Sequence, residues 1–381
     1  MTASGPVRIP FSRASLTGRE LEYVGQAISI GQLAGDQTFT KHCEALLERE
    51  LGAERVLLTP SCTQALEMAA LLLEIGPGDE VIVPSFTFVS VANAFVLRGA
   101  KPVFADIRCD TLNVDEAALE ALITPRTKAI VVVHYAGVGC AMDGILAVAA
   151  PRGIAVVEDT AHGLFGRYDG RRLGTIGRFG TLSFHSTKNL TCGEGGALVL
   201  NDPSDVTRAE IIREKGTNRS AFFRGQVDRY TWVDLGSSYL MSDVLAAFLY
   251  AQLEAHETVH RERRARWMAY DARLRDWAAR HGVRTPVVPA LCEQTYHIYY
   301  LLLSSFDERS AFIEHLGRHG IHAVFHYLPL HLSPMGRRFG GQVGDCRVAE
   351  DVSGRLVRLP LYNDMSSEEQ DAVIDAVCSF T

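Results

Sequence analysis

Lys188 is the side chain whose type and position in this sequence most strongly suggest chemistry. It lies in the stretch TLSFHSTKNLTCGEGGALVL, where a strand-like run ends at His185 and a glycine-rich segment leads into another such run. Most loop lysines are only solvated, but a lysine buried near cationic or apolar groups has a lowered amine pKa and forms Schiff bases with carbonyl compounds. The GEGG segment is not a dinucleotide fingerprint, because it precedes a strand instead of opening a helix.

Two other strand ends carry groups that could bind a cation and an anion. In IAVVEDTAHG, Asp159 ends an apolar run, at the position where open α/β sheets bind their ligands. It either caps a following helix or stays ionised beside a cationic ring nitrogen. In LLTPSCTQALEMAALLLEIG, Ser61, Cys62 and Thr63 lie between a strand and a helix. Free backbone N–H groups at such a turn bind phosphate, or only water.

One cofactor would use all of these groups. Pyridoxal phosphate needs a phosphate site, a lysine for its aldehyde, a carboxylate for its pyridinium nitrogen and flat side chains against its ring. Phe88, in VPSFTFVSVANA, and His162, three residues after Asp159, could contact the two ring faces. A phenylalanine after a strand is also a common core residue. In this hypothesis Asp159 keeps the ring nitrogen protonated, and Lys188 carries protons.

The elements that position these residues follow an alternating pattern. From about residue 54 to 200, short β-branched runs alternate with longer helical stretches, and several runs are apolar on both faces. This pattern predicts an α/β fold in which helices cover a mixed, mostly parallel sheet. The predicted strands are residues 56–59, 80–84, 102–106, 129–135, 154–159, 181–185 and 197–200.

The rest of the chain predicts a second, smaller unit. Residues 242–280 have the pattern of one long helical region, followed by a strand at 297–303, a helix at 308–318 and a strand at 321–327. A final helix begins at Ser366, which has capping-box spacing to Glu369. We expect a large domain of residues 1–255, including the N-terminal segment, and a small α+β domain of residues 256–381.

Composition excludes several classes of protein. The 381 residues are 47% hydrophobic and 22% charged, which is typical of a globular protein. A net charge of −7 disfavours binding to nucleic acid or to an anionic membrane, both of which need a basic surface. The eight cysteines include no C-x-x-C pair, the thirteen histidines form no H-E-x-x-H motif, and the N-terminus lacks the apolar core of a signal peptide. We expect a cytoplasmic protein without a metal site.

Four motifs carry a resemblance to a known family. GDEVIVPSFTFVSVANAFVLRGAKPVFAD, VVEDTAHG, SFHSTKN and HYLPLH occur in this order. From Ile9 to its C-terminus the chain resembles the DegT/DnrJ/EryC1/StrS family of nucleotide-sugar aminotransferases. The resemblance implies the aspartate-aminotransferase fold (fold type I), pyridoxal 5'-phosphate as cofactor, and a homodimer with active sites at the subunit interface.

The resemblance also implies roles for individual residues. Lys188 would bind the cofactor covalently, Asp159 would pair with its ring nitrogen, and Phe88 and His162 would contact its ring. The residues expected at the phosphate are Cys62, Thr63 and Ser183. Many members place a Gly-Tyr-Asn-Tyr-Arg segment of the second subunit at this phosphate; here residues 236–240 are GSSYL, and Ser238 is the expected substitute. The candidate substrate contacts are His326, Tyr327, Lys215, Arg219 and Arg224.

Further stretches resemble members that aminate C4 of a sugar: LLTPSCT, EMAALLLEI, HYAGV, IIREKGTNRSAFFRGQVD and LGSSYLMSD. They imply transfer of an amino group from L-glutamate to dTDP-4-keto-6-deoxy-D-glucose, giving a 4-amino-4,6-dideoxyhexose of galacto or gluco configuration. Relatives with histidine in place of the lysine dehydrate sugars, so Lys188 favours transamination. The alternatives are a 3-keto nucleotide-sugar aminotransferase and a non-catalytic regulatory or binding protein that retains the fold.

Overall fold

The fold is built on a seven-stranded sheet. A computed structural model describes residues 8–380. The order of strands across the central sheet is β1-β9-β8-β5-β4-β2-β3, and two small sheets contain the remaining strands. The strands are β1 (Arg55–Thr59), β2 (Glu80–Pro84), β3 (Lys101–Ala105), β4 (Thr127–Val133), β5 (Ala155–Asp159), β6 (Arg167–Tyr168), β7 (Arg171–Arg172), β8 (Phe179–Ser183), β9 (Gly196–Leu200), β10 (Cys292–Glu293), β11 (Tyr300–Leu302) and β12 (Leu356–Arg358).

Helices cover the sheet and form most of the C-terminal third. They are α1 (Glu20–Ser29), α2 (Thr38–Leu51), α3 (Cys62–Leu72), α4 (Ser90–Val96), α5 (Leu119–Leu122), α6 (Met142–Ala149), α7 (Pro203–Arg213), α8 (Arg219–Phe223), α9 (Asp243–Glu254), α10 (His256–Arg280), α11 (Phe306–Arg318), α12 (Pro334–Arg338), α13 (Arg347–Arg355) and α14 (Ser367–Cys378). Between residues 8 and 380, none of them combines the length and apolarity that crossing a bilayer requires.

Strand direction brings the predicted site residues to one edge of the sheet. Strand β9 is antiparallel to β1 and β8, while the pairs β8–β5, β5–β4, β4–β2 and β2–β3 are parallel. Six strands therefore end at the edge where β9 begins. The predicted α/β class is confirmed. Strands β4 and β8 end two residues earlier than predicted. Strand β4 ends at Val133, opposite Asp159, the last residue of β5, and β8 ends at Ser183, opposite Gly196, the first residue of β9.

Both faces of the sheet are buried, as the doubly apolar strands predict. Along β4, Val131 belongs to a buried cluster that includes Leu66 of α3, whereas Val132 belongs to a second cluster that includes Ile145 of α6. Because successive side chains of a strand point to opposite faces, the two clusters lie on opposite sides of the sheet. Burial on both sides fixes the strand ends that carry the site residues.

Two predictions for the C-terminal part are wrong. The region 242–280 is two helices, separated at Ala255. There the Nδ1 atom of His256 lies 2.8 Å from the carbonyl oxygen of Leu253, which a continuous helix would use for its own hydrogen bond. Residues 321–327 form no strand, because they make only isolated bridges. The capping box at Ser366 is confirmed, and the domain division at residue 255 stays a prediction.

Candidate active site

A cavity of about 800 Å³ opens at the edge where the six strands end. The loops after β1, β2, β5 and β8 line it on one side, and a segment before α12 lines it on the other. Nine of the residues singled out from the sequence line this one cavity: Cys62, Thr63, Phe88, Asp159, His162, Ser183, Lys188, His326 and Tyr327. Its volume is typical of sites for small molecules and cofactors.

One end of the cavity suits an anion. Helix α3 begins at Cys62, and the Ser61 hydroxyl caps it by accepting the Gln64 N–H at 3.2 Å. The N–H groups of Cys62 and Thr63 have no acceptor within the helix, and the helix dipole is positive there. A Cβ atom on Gly196 would lie 2.3 Å from the Cys62 nitrogen. Only glycine at this position leaves the start of α3 open, as binding of a phosphate requires.

Asp159 is a buried carboxylate, with only 6% of its surface exposed. Its Oδ1 atom accepts the N–H of Ala161 at 2.9 Å, but the following residues form turns, so it caps no α-helix. Burial raises the pKa of Asp159, and the Ala161 hydrogen bond and the charge of Lys188 only partly oppose this effect. A cationic ring nitrogen in the cavity would stabilise the ionised form.

Lys188 lies on the loop between β8 and β9, and both arms of this loop are tied together. The Ser186 N–H donates to the Gly193 carbonyl at 2.9 Å, and the Lys188 N–H donates to the His185 carbonyl at 2.9 Å. Burial lowers the pKa of the Lys188 amine, although the charge of Asp159 opposes the shift. A lowered pKa increases the fraction of neutral, nucleophilic amine at physiological pH.

The rings of His162 and Phe88 both line the cavity. The Nδ1 atom of His162 is buried without a hydrogen-bond partner among residues 8–380. Its ring packs 4.3 Å from that of His297, centroid to centroid. Phe88 is 56% exposed at the cavity wall, so it is not the core residue that the sequence allowed. The unpartnered nitrogen, the exposed ring and the space kept open by Gly196 together fit a flat, phosphorylated heterocycle.

Arg358, which sequence reasoning missed, also lines the cavity. Its Nη2 atom donates to the Phe325 carbonyl at 3.1 Å, and its guanidinium lies 4.5 Å from the centroid of the Phe11 ring. Its Nε atom is buried without a partner, and no carboxylate of the described chain lies within ion-pair distance. Burial lowers its pKa. The available signal was a single arginine inside the apolar run LVRLPL.

Four candidate residues do not line this cavity. Lys215 and Arg219 each lie 3.6 Å from a Glu214 carboxylate oxygen, and Arg224 lies 2.7 Å from Glu210. Glu214 and Glu210 therefore neutralise part of the positive charge of this loop. Ser238 is exposed and bridges to Glu214 through its backbone. The expected contacts of Ser238 with a cofactor phosphate, and of the three basic residues with a diphosphate, stay predictions.

Comparison with known proteins gives consistent matches over nearly the whole chain. SpsC, a spore coat polysaccharide biosynthesis protein of Bacillus subtilis (strain 168), is 34% identical over 380 residues, covering 97% of this chain and 96% of SpsC. The aminotransferase TlmJ of Streptoalloteichus hindustanus is 33% identical, with a TM-score of 0.88 over 98% of this chain and 97% of TlmJ.

Spr1654 of Streptococcus pneumoniae, provisionally assigned as a sugar aminotransferase, is 28% identical. Its PLP form has a TM-score of 0.90, covering 98% of each chain, and its PMP form has a TM-score of 0.91, covering 98% of this chain and 99% of Spr1654. Residues 15–378 match the profile of the DegT/DnrJ/EryC1/StrS aminotransferase family. The chain therefore belongs to this family, has the fold type I architecture, and is an aminotransferase that uses pyridoxal 5'-phosphate.

Proposed function

We propose that this enzyme transfers the amino group of L-glutamate to the C4 ketone of dTDP-4-keto-6-deoxy-D-glucose, forming a dTDP-4-amino-4,6-dideoxyhexose. The observation that carries the proposal is the placement of Lys188 and Asp159 in one cavity, next to the open start of α3. The names of SpsC and Spr1654 support a sugar as the acceptor. The C4 ketone rests on the sequence stretches shared with C4-aminating members.

The described residues provide a place for each part of the cofactor. We assign the phosphate to the start of α3, with Cys62, Thr63 and Ser183, the aldehyde to Lys188, and the ring nitrogen to Asp159. When bound, pyridoxal phosphate supplies an electron sink for the carbon that loses or gains a proton. Phe88 and His162 hold the ring plane from its two sides. The volume of the cavity leaves space beside the cofactor for a substrate.

Lys188 is the proton carrier that we assign to both half-reactions. Its lowered pKa allows its amine to accept a proton from the donor carbon and to deliver one to the sugar carbon. Asp159 stays ionised beside a protonated ring nitrogen, although burial alone raises its pKa. In this proposal Lys188 transfers the proton, and Asp159 keeps the ring nitrogen protonated.

Arg358 is the residue that we assign to the carboxylate of the amino donor. It has no acidic partner among residues 8–380, and its guanidinium can form a bidentate pair with a carboxylate. The Phe11 ring lies against one face of this guanidinium and restricts its position. A charged donor entering the cavity would satisfy the buried Nε atom.

The wall of His326 and Tyr327 is assigned to the acceptor sugar. The Nδ1 atom of His326 lies 3.1 Å from the Tyr135 hydroxyl, and burial lowers the pKa of His326 well below its ordinary value. A neutral imidazole and a phenol are suited to hydrogen bonds with sugar hydroxyls. The basic residues Lys215, Arg219 and Arg224 remain our candidates for the sugar diphosphate.

We further propose a homodimer in which Ser238 reaches the phosphate bound by the partner. Large apolar side chains near Ser238 are exposed in the single chain, including Phe223 (69%), Trp232 (76%) and Leu235 (54%). Exposed apolar groups concentrated in one segment are typical of an interface. All eight cysteines are unpaired, which supports our assignment to the reducing cytoplasm.

Incubation of the purified enzyme with L-glutamate and dTDP-4-keto-6-deoxy-D-glucose tests the proposal. We expect 2-oxoglutarate and an amino sugar whose NMR couplings distinguish the galacto from the gluco product. An unchanged sugar would contradict the substrate assignment, and amination of a 3-keto sugar instead would support the alternative. The match of residues 15–378 to an aminotransferase family argues against the non-catalytic alternative.

A further inference from the structure

A hydrogen-bonded chain of three side chains, of which only Glu350 is partly exposed, joins the two halves of the cavity wall. The Ser85 hydroxyl oxygen lies 2.6 Å from Nδ1 of His331, and Nε2 of His331 lies 3.0 Å from Oε1 of Glu350. Ser85 and His331 are completely buried, and none of the three residues lines the cavity. His331 is the last residue of the HYLPLH motif, and Ser85 precedes the Phe-Thr-Phe of the VPSFTF motif.

The direction of the hydrogen bonds follows from Glu350. Its Oε1 atom also accepts the Gly344 N–H at 2.8 Å. Burial raises the pKa of Glu350, but the hydrogen bonds from Gly344 and His331 outweigh this effect and hold it below its ordinary value. An ionised carboxylate only accepts, so Nε2 of His331 carries a proton; in the neutral ring Nδ1 then accepts and the Ser85 hydroxyl donates.

This Ser-His-Glu order resembles the arrangement of a hydrolase, but the serine has no access to a substrate. Its hydroxyl is completely buried, and its second neighbour is the backbone N–H of His331 at 3.4 Å. A nucleophile must be reachable from the cavity. The chain of hydrogen bonds therefore connects structural segments instead of performing acyl transfer.

The connected segments are those that carry cavity residues. Thr87 and Phe88 follow Ser85 by two and three residues, and Tyr327 precedes His331 by four. The Leu330 N–H donates to the Ser85 carbonyl at 2.9 Å, which adds a backbone link at the same point. We propose that His331 is a positioning residue that holds the Phe325–Tyr327 wall against the loop after β2, and so determines binding of the acceptor sugar; this rests on the proposed function.

The donor side has contacts of its own besides those with this wall. Helix α13, which carries Glu350, precedes Arg358 of β12. The Asp106 carboxylate accepts the N–H groups of Val348 and Ala349, both at 2.9 Å, and fixes the start of this helix. Loss of the link between His331 and Glu350 leaves these contacts intact. Arg358 also contacts the wall through the Phe325 carbonyl, but β12 is held by its pairing with β11 as well. The reaction with glutamate is therefore expected to be affected less than the reaction with the sugar.

The test uses Glu350→Ala and His331→Gln in the holoenzyme, with Asp351→Ala as the matched control. Asp351 lies on the same helix and is exposed, paired only with Arg355. Each half-reaction is followed separately from the absorbance of the cofactor. We expect KM for dTDP-4-keto-6-deoxy-D-glucose to rise about tenfold, while the glutamate half-reaction stays within about twofold of wild type. Glu350→Gln, which keeps an acceptor oxygen, is expected to restore most of the loss.

Equal losses in both half-reactions, or no loss in either, would overturn the inference. Hydrogen exchange provides a readout without any sugar. In Glu350→Ala we expect faster exchange confined to residues 85–90, residues 324–331 and the Gly344 amide, which also loses its acceptor, and no change in Asp351→Ala. Exchange that is unchanged, or faster throughout the molecule, would also overturn it. If the wild-type enzyme does not accept this sugar, the substrate assignment alone fails, and the exchange result decides the positioning role.

Discussion

Asp159, at the end of β5, and Lys188, on the loop after the adjacent parallel strand β8, line one cavity, and each favours the charged form of the other. The charge of Lys188 lowers the pKa of Asp159, and the charge of Asp159 raises the pKa of Lys188. In both residues burial is the larger effect and opposes the charge. In the protein alone, burial therefore disfavours the charged forms of both residues. A bound cationic ring would stabilise the charged form of Asp159.

Replacing the lysine is expected to remove the chemistry and the colour together. In Lys188→Ala we expect turnover to fall by about a thousandfold, because general acid–base catalysis at the reacting carbon is lost. The enzyme should no longer retain a yellow cofactor that borohydride bleaches. Lys128→Ala, at an exposed position of β4, is the control and should resemble wild type. A yellow, active Lys188→Ala enzyme would contradict our assignment.

Asp159→Asn is expected to separate stability from activity. Because burial raises the pKa of Asp159, the folded protein holds this proton more tightly than the unfolded chain does, and stability is lost as pH rises through the folded-state pKa. Asparagine removes this cost, so the variant without cofactor should melt about 2 °C above wild type at pH 7. The difference should vanish at a pH below the ordinary pKa of aspartate. Both half-reactions should be slower by about a hundredfold or more.

The thermal measurement needs cofactor-free protein, since bound cofactor stabilises wild type by mass action. If the variant melts below wild type at pH 7, the ionised Asp159 carboxylate does not destabilise the folded protein, and this prediction is wrong. A variant with full activity would show that the carboxylate does not hold the ring nitrogen.

Gly196→Ala is expected to weaken binding of the phosphate group. Its Cβ atom would lie 2.3 Å from the Cys62 nitrogen, so the start of α3 must move, at a cost of about 1–3 kcal/mol. Affinity for pyridoxal phosphate should therefore fall more than affinity for pyridoxal, measured by fluorescence titration. Gly25→Ala is the control, because no atom lies within 4 Å of its Cβ position in helix α1. Equal effects on both ligands would contradict the phosphate assignment.

Arg358→Ala is expected to impair use of the amino donor selectively. Loss of a charged hydrogen-bond partner should raise KM for glutamate by about 10–100-fold, with a smaller effect on the sugar half-reaction. Arg355→Ala provides a control, because Arg355 pairs with Asp351 outside the cavity. If KM for glutamate is unchanged and KM for the sugar rises, Arg358 serves the acceptor and our assignment is wrong.

The sequence predicted the sheet-edge half of the site well, because that half is local. Cys62, Phe88, Asp159 and Lys188 each lie within five residues of a strand end, and the doubly apolar strands are visible as short runs. Once the strands are parallel, their ends must meet. The roles of these residues, inferred from their chemistry and implied also by the family resemblance, stay proposals until the experiments above are done.

The C-terminal wall was predicted poorly, because contacts between distant residues determine it. Arg358 reaches the cavity beside Phe11, a partner almost 350 residues away in sequence. Residues 321–327 are apolar enough for a strand, but they bridge separately to Ile9 and to Arg358 and find no continuous partner. The periodicity of a sequence carries no information about such long-range contacts. The break between two helices at Ala255 likewise has no signal in the hydrophobic pattern of residues 242–280.

The reversed direction of β9 has a consequence for how this enzyme can change its substrate. Lys188 lies on a connection whose two stems, β8 and β9, are neighbours in the sheet, with Ser183 opposite Gly196. The backbone that carries the reactive lysine is thus held at both ends by the sheet. A change of acceptor sugar would then require changes in the Phe325–Tyr327 wall, while the position of the catalytic loop stays the same.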